Sequence, residues 1–131
     1  LFIIFSNNNN EVLNKRELEV GEPWSKEILN KYKETNKNIL VNFTADWCLT
    51  CKVNEAIVLN QTSVKNALRS KNIVYLKADW TRKDAVIADK LAEYGRTGVP
   101  LYLLFSPEGV PTILPELLTE DILLSYINEI K

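Results

Sequence analysis

The 131-residue chain has no histidine, no methionine and only two cysteines. Without histidine, neither a Ser-His-Asp nor a Cys-His catalytic arrangement can be assembled from this chain alone. Haem attachment through CxxCH is excluded as well, because Lys52 follows the second cysteine. A marked excess of either sign of charge is also missing: 16 basic against 17 acidic side chains leave a net charge of −1. The basic excess that marks a nucleic-acid or anionic-membrane surface is therefore absent. No full signal peptide is present, and no apolar run approaches the roughly 20 residues of a membrane span. With no methionine and Leu1 in first place, the chain reads as a processed protein or an excised piece. Leu1-Phe2-Ile3-Ile4-Phe5 is then either an edge strand or irregular segment tucked onto the core, or the cut end of a membrane helix.

What is present describes an ordinary globular domain: 46% hydrophobic and 25% charged residues. The length suits about one domain, large enough to bury a core without metals or disulfides. We divide it into an extension or linker over 1–20, with an Asn-rich run Ser6–Asn10, and a folded domain over 21–131.

Periodicity supplies the elements. Leu18 and Val20 alternate as in a short strand. Pro23 suits the first position of a helix carrying Trp24, Ile28, Leu29 and Tyr32. Ile39–Phe43 and Ile73–Leu76 are short apolar runs of buried strands. A helix follows Cys48 through about Leu59, and Thr62 is a candidate cap for another carrying Val64, Ala67 and Leu68. Asp84–Tyr94 is helical, with Val86, Ile87, Leu91 and Tyr94 on one face and Gly95 as its stop. Leu101–Phe105 and Val110–Leu114 flank a turn at Ser106-Pro107-Glu108-Gly109, which predicts an antiparallel hairpin. Pro111 makes the second of these an edge strand. Thr119 caps a last helix with Ile122, Leu123, Tyr126, Ile127 and Ile130 as its apolar stripe. The order predicts an α/β sandwich: a central mixed sheet of about four strands with helices on both faces.

Cys48 and Cys51 form a CxxC where a strand hands over to a helix. A zinc site would need two more ligands, and the chain has no third cysteine and no histidine. A structural disulfide over so short a loop would stabilise by only about 2 kcal/mol. Redox chemistry is the reading that strand–CxxC–helix supports. The helix N-terminus favours a thiolate on Cys48, while Cys51, one turn in, is expected to be more buried and to resolve mixed disulfides. Asp46 and Glu55 oppose the thiolate, since nearby negative charge disfavours it. Asp46 reads as a surface acid. Glu55, four residues after Cys51, is either a proton acceptor for it or a solvated carboxylate. Trp47 is expected beside the site as part of a docking surface, with plain core packing as the alternative. Val99-Pro100 opens a strand. A cis bond there would set backbone groups beside the cysteines, and a trans strand-breaker is the plain alternative.

Ile39–Cys51 together with Gly98-Val99-Pro100 resembles the strand–WCxxC segment and cis-proline loop of the thioredoxin superfamily. Within it, Phe43–Glu55, Ala78-Asp79-Trp80-Thr81, Gly95–Tyr102 and the lead-in Pro23-Trp24-Ser25 resemble the C-terminal periplasmic domain of the DsbD family of thiol:disulfide interchange proteins. The resemblance covers about Gly21 to Lys131. It implies a thioredoxin-like fold and a protein-disulfide reductase module with no cofactor and no metal. Cys48 would be the attacking thiol, Pro100 the cis-proline, and Glu55 an acid that tunes the site. Trp47, Val99 and Pro100 would form the docking surface. Electrons would come from a membrane domain of the same polypeptide and pass to protein partners on the periplasmic side of the bacterial inner membrane, cytochrome c maturation factors among them. The resemblance also tilts Leu1–Phe5 toward a membrane-helix end. A free-standing periplasmic reductase for cytochrome c maturation and a redox-inert binding module are the alternatives. One departure is Asn42, where thioredoxins and many DsbD domains carry a buried Asp. An amide cannot serve as a base, so proton handling would fall on Glu55 or water.

Overall fold

The computed structural model describes residues 21–130. The expectations for Leu1–Phe5, for the Asn-rich run, for Leu18 and Val20 and for the 1–20 extension lie outside the described residues. The elements are β1 (Glu22–Pro23), α1 (Lys26–Glu34), β2 (Asn38–Thr44), α2 (Leu49–Asn54), α3 (Thr62–Ser70), β3 (Ile73–Asp79), α4 (Ala85–Glu93), β4 (Leu101–Phe105), β5 (Thr112–Ile113) and α5 (Glu120–Asn128). Helix α2 runs on as a wider π-helical turn, Glu55–Leu59, in which the Asn60 N–H reaches back five residues to the Glu55 carbonyl at 2.9 Å.

The sheet has the order β1-β3-β2-β4-β5. Strand β2 runs parallel to β3 and antiparallel to β4, so the sheet is mixed and β2 is its centre. Its five strands exceed the four expected, and the addition is β1. Pro23 does not start a helix. It pairs with Lys77 on the sheet edge, where a missing N–H costs no ladder bond, and Ser25 caps α1 two residues later by accepting the Ile28 N–H at 3.1 Å. Gly21 makes the edge approach possible: its φ is +94°, and a Cβ there would sit 2.9 Å from the Lys77 Cβ. The hairpin β4–β5 forms as expected, with β5 on the opposite edge just after Pro111.

Alternation in β2 builds two cores. Ile39, Val41 and Phe43 face α1 and α4, where Trp24, Leu29, Ile87 and Leu91 cover them. Leu40 faces the other layer, with Val58, Leu59, Val64, Leu68, Leu123 and Ile127. Two local expectations change. Gln61, not Thr62, is the cap position of α3, and it makes no side-chain capping bond. Val86 is exposed, because Ile87 and Leu91 alone carry the inward stripe of α4. Among the described residues, no helix is long and apolar enough to cross a membrane.

Candidate active site

The central strand ends at Thr44, and the short connection through Ala45-Asp46-Trp47 delivers Cys48 to the N-cap of α2. The Cys48 sulfur accepts the Cys51 N–H at 3.2 Å, one of the helix donors left without an intrahelical partner. Cys48 and Cys51 are joined as a disulfide with their Cα atoms 5.3 Å apart. Cys48 is 8% exposed and Cys51 not at all, so only the first sulfur faces outward. Opposite stands the Val99-Pro100 peptide bond, which is cis. The Val99 carbonyl oxygen lies 3.9 Å from Cys48 Sγ, and Val99 packs with Ala45, Cys48 and Cys51.

Trp47 is half exposed, so it is not a core residue. Its indole N–H donates to the Thr81 carbonyl at 3.0 Å, and its ring centroid lies 5.9 Å from that of Trp80. Asp46 is a surface acid, its side chain 73% exposed and paired with Lys52 at 3.2 Å.

Glu55 is not a solvated carboxylate: its side chain is 14% exposed. Oε1 accepts from the Thr44 hydroxyl at 2.7 Å and from the Asn42 amide at 3.3 Å. Oε2 lies 3.5 Å from the Lys52 ammonium. Burial works against the Lys52 ammonium, but its hydrogen bond to Asp46 and the charge of Glu55 outweigh that and raise its pKa. Asn42 is fully buried, and its amide also donates to the Tyr75 hydroxyl at 3.0 Å. Burial pushes the Tyr75 phenol far above its ordinary value, against the opposing pull of the Asn42 bond. Asn42 thus serves as a donor to the buried carboxylate. Its own Oδ1 has no partner among the described residues.

Neither the cysteine spacing nor the helix pattern pointed to Thr44, Tyr75, Asn54 or Thr81. The signal for Thr44 was there: Asn42 and Thr44 are polar positions two apart that break the apolar run begun at Ile39, hence on one face. Asn54, buried one turn beyond Cys51, donates to the Tyr102 hydroxyl at 2.9 Å and the Glu116 carbonyl at 2.7 Å. Its side-chain oxygen accepts the Leu118 N–H at 3.2 Å. An Arg96–Glu116 ion pair ties the same loop to the segment leading into Pro100. Among the described residues no cluster of acids, cysteines or histidines could hold a metal ion.

A parallel–antiparallel sheet of this order, with a CxxC heading the helix after its central strand and a cis-proline against the outer sulfur, is a thioredoxin-type dithiol–disulfide centre. A family model described as Thioredoxin-like matches residues 22–107, and the chain belongs to that family. It is similar to the thiol:disulfide interchange protein DsbD of Pseudomonas fluorescens, 35% identical over 71 residues, which is 54% of this chain and 12% of the relative. The DsbD of Colwellia psychrerythraea is 29% identical over 112 residues, 82% of this chain and 18% of that one. The chain thus spans less than a fifth of the length of these relatives. In fold it matches the oxidised C-terminal domain of Neisseria meningitidis DsbD, with a TM-score of 0.68, 23% identity, and coverage of 83% of this chain and 98% of that one. The chain is a thioredoxin-superfamily domain that is similar to DsbD over part of that protein's length and carries a CxxC pair able to form a disulfide.

Proposed function

We propose that the domain is a protein-disulfide reductase module that receives electrons from a membrane-embedded domain of the same polypeptide and passes them to proteins on the periplasmic side of the bacterial inner membrane. The observation that carries the exchange chemistry is the unequal burial of the two sulfurs, with Cys48 outward at the helix N-terminus and Cys51 enclosed behind it. Similarity to DsbD supports the membrane and periplasmic parts of the reading.

In the reduced domain, the Cys48 thiolate attacks one sulfur of a partner disulfide. The partner's other sulfur leaves as a thiolate, and a mixed disulfide forms. The Cys51 thiol then loses its proton, and Glu55, whose backbone N–H donates to the Cys51 carbonyl one turn back, is the side-chain acceptor we assign. The Cys51 thiolate attacks Cys48 Sγ, the second partner thiolate leaves, and the Cys48–Cys51 disulfide closes. Two electrons have passed to the partner, whose thiolates take up two protons. Trp47, Val99 and Pro100 frame Cys48 and form the surface on which the partner docks. No cofactor enters any of these steps.

Trapping tests the reading. Cys51→Ser should accumulate a mixed disulfide through Cys48 whose adduct, identified by mass spectrometry, is a periplasmic protein or another domain of the same polypeptide. Equal trapping by Cys48→Ser, or no dithiol exchange by the wild-type domain, would overturn it.

A further inference from the structure

The segment Ala78-Asp79-Trp80-Thr81 stands out in the sequence without an assigned task, and the structure places it against the active-site turn. The Thr81 hydroxyl oxygen accepts the Asp46 N–H at 2.9 Å, while the Thr81 carbonyl accepts the Trp47 indole N–H at 3.0 Å. One residue therefore holds both the backbone entering Trp47 and the far end of its ring. Thr81 is itself held: its N–H donates to Asp79 Oδ1 at 3.0 Å, and its hydroxyl donates to the same oxygen. Hydrogen bonds from Thr81 outweigh burial and keep the Asp79 carboxyl below its ordinary value, so it stays an acceptor. The neighbouring Trp80 N–H donates to the Thr44 carbonyl at 2.7 Å and its indole N–H to the Asp84 carbonyl at 3.1 Å, which anchors the loop to the sheet and to α4. Lys83, at a left-handed φ of +52°, lays its ammonium 4.9 Å from the Trp47 ring centroid and 5.9 Å from that of Trp80.

We propose that Thr81 is a positioning residue for the redox centre: it fixes the Asp46–Trp47 turn and the Trp47 indole beside Cys48, and through them the docking of protein disulfides. A half-exposed indole left loose would have to be ordered each time a partner docks, at an entropic cost to association. A preset ring avoids that cost. The inference rests on the docking role given to Trp47 above. It concerns partners large enough to reach Trp47, because a small disulfide needs only the outer sulfur.

The pre-reduced domain would be reacted with insulin, a protein disulfide, and with 5,5′-dithiobis(2-nitrobenzoate), a small one, and second-order rate constants compared. Thr81→Val keeps the carbonyl and the size of the side chain but removes the hydroxyl. It should slow insulin reduction about tenfold, the size of one lost hydrogen bond, and the small reagent by no more than about twofold. Thr81→Ser should restore insulin reduction, and in a Trp47→Ala background Thr81→Val should add nothing. Hydrogen exchange at the Asp46 amide should accelerate about tenfold in Thr81→Val, while the Trp24 amide, bonded to the Lys77 carbonyl at 2.9 Å, keeps its protection. Equal slowing with both disulfides, or unchanged insulin reduction, would overturn the inference. A wild-type domain that reduces neither disulfide would instead overturn the reductase reading.

Discussion

Replacing Asn54 by alanine should destabilise the domain by about 3 kcal/mol. The residue is 1% exposed, and its side chain makes three hydrogen bonds, to the Tyr102 hydroxyl, the Glu116 carbonyl and the Leu118 N–H. A typical bond contributes about 0.5–1.5 kcal/mol net, and stranding a buried partner costs about 1–3 kcal/mol. The Leu118 N–H and the Tyr102 hydroxyl are the partners stranded in a dry setting, and the Glu116 carbonyl can turn to water. A loss in the lower half of the resulting range of about 2–6 kcal/mol follows once local relaxation is allowed for, equivalent to a Tm lower by roughly 10–15 °C for a domain of this size. Urea unfolding followed by tryptophan fluorescence measures it directly, and an unchanged m-value would show that the folded state keeps its compactness. Tyr102→Phe removes a single hydroxyl and should cost about 1 kcal/mol. The double variant should cost less than the sum, because the two share a bond. Below the melting range, Asn54→Ala should still form the Cys48–Cys51 disulfide, since neither sulfur bonds to Asn54. A loss under about 1 kcal/mol would refute the reasoning, for it would mean that the 116–118 loop is not fastened through this amide.

Glu55→Gln should slow the resolving step, lengthening the lifetime of the mixed disulfide on Cys48 about tenfold or more at neutral pH, as quenched-flow trapping would show; an unchanged lifetime would leave proton transfer to water. Gly21→Ala should cost about 1–2 kcal/mol in a urea titration, from the positive φ and the close Lys77 Cβ together. Asp79 has a lowered folded pKa, so its contribution to stability is complete above the ordinary carboxylate value and is lost as pH falls through the folded one; acid unfolding of Asp79→Asn should be correspondingly less steep. Burial pushes the Tyr102 phenol up to about 12, and Tyr75 also moves up, so their contribution is complete below pH 10 and falls as pH rises through 10–12. In an absorbance titration near 295 nm, these two phenols should ionise only as the domain unfolds.

The CxxC, the strand before it and the helix after it were legible because local signals agree there: an apolar run, a helix start and two sulfurs at fixed spacing. The hairpin and its proline-marked edge were legible for the same reason. Pro23 was misread because the local preference for a helix start lost to pairing with β3 across more than fifty residues. The surroundings of Glu55 were hidden differently. Thr44 and Asn42 reach it across 11 and 13 residues of chain, only because the turn after α2 lies over the end of β2. Spacing along one helix reveals Cys51 and Glu55 as neighbours, but it does not tell a solvated carboxylate from an enclosed one. Thr81 needed the fold outright, since its partners at 46 and 47 come from another strand's connection.

The two margins of the sheet set a condition on how this domain meets other chains. Strands β1 and β5 are two residues each, one containing Pro23 and the other following Pro111. Among the described residues, a foreign strand laid along either margin would find few free amides in register, which makes these edges poor templates for growth. A domain whose proposed work is to meet other proteins through their disulfides is thereby guarded, at these margins, against pairing with them strand to strand. On the proposed reading, a client would be held by one sulfur and a few loop residues, and such a grip lets go once the disulfide has been exchanged.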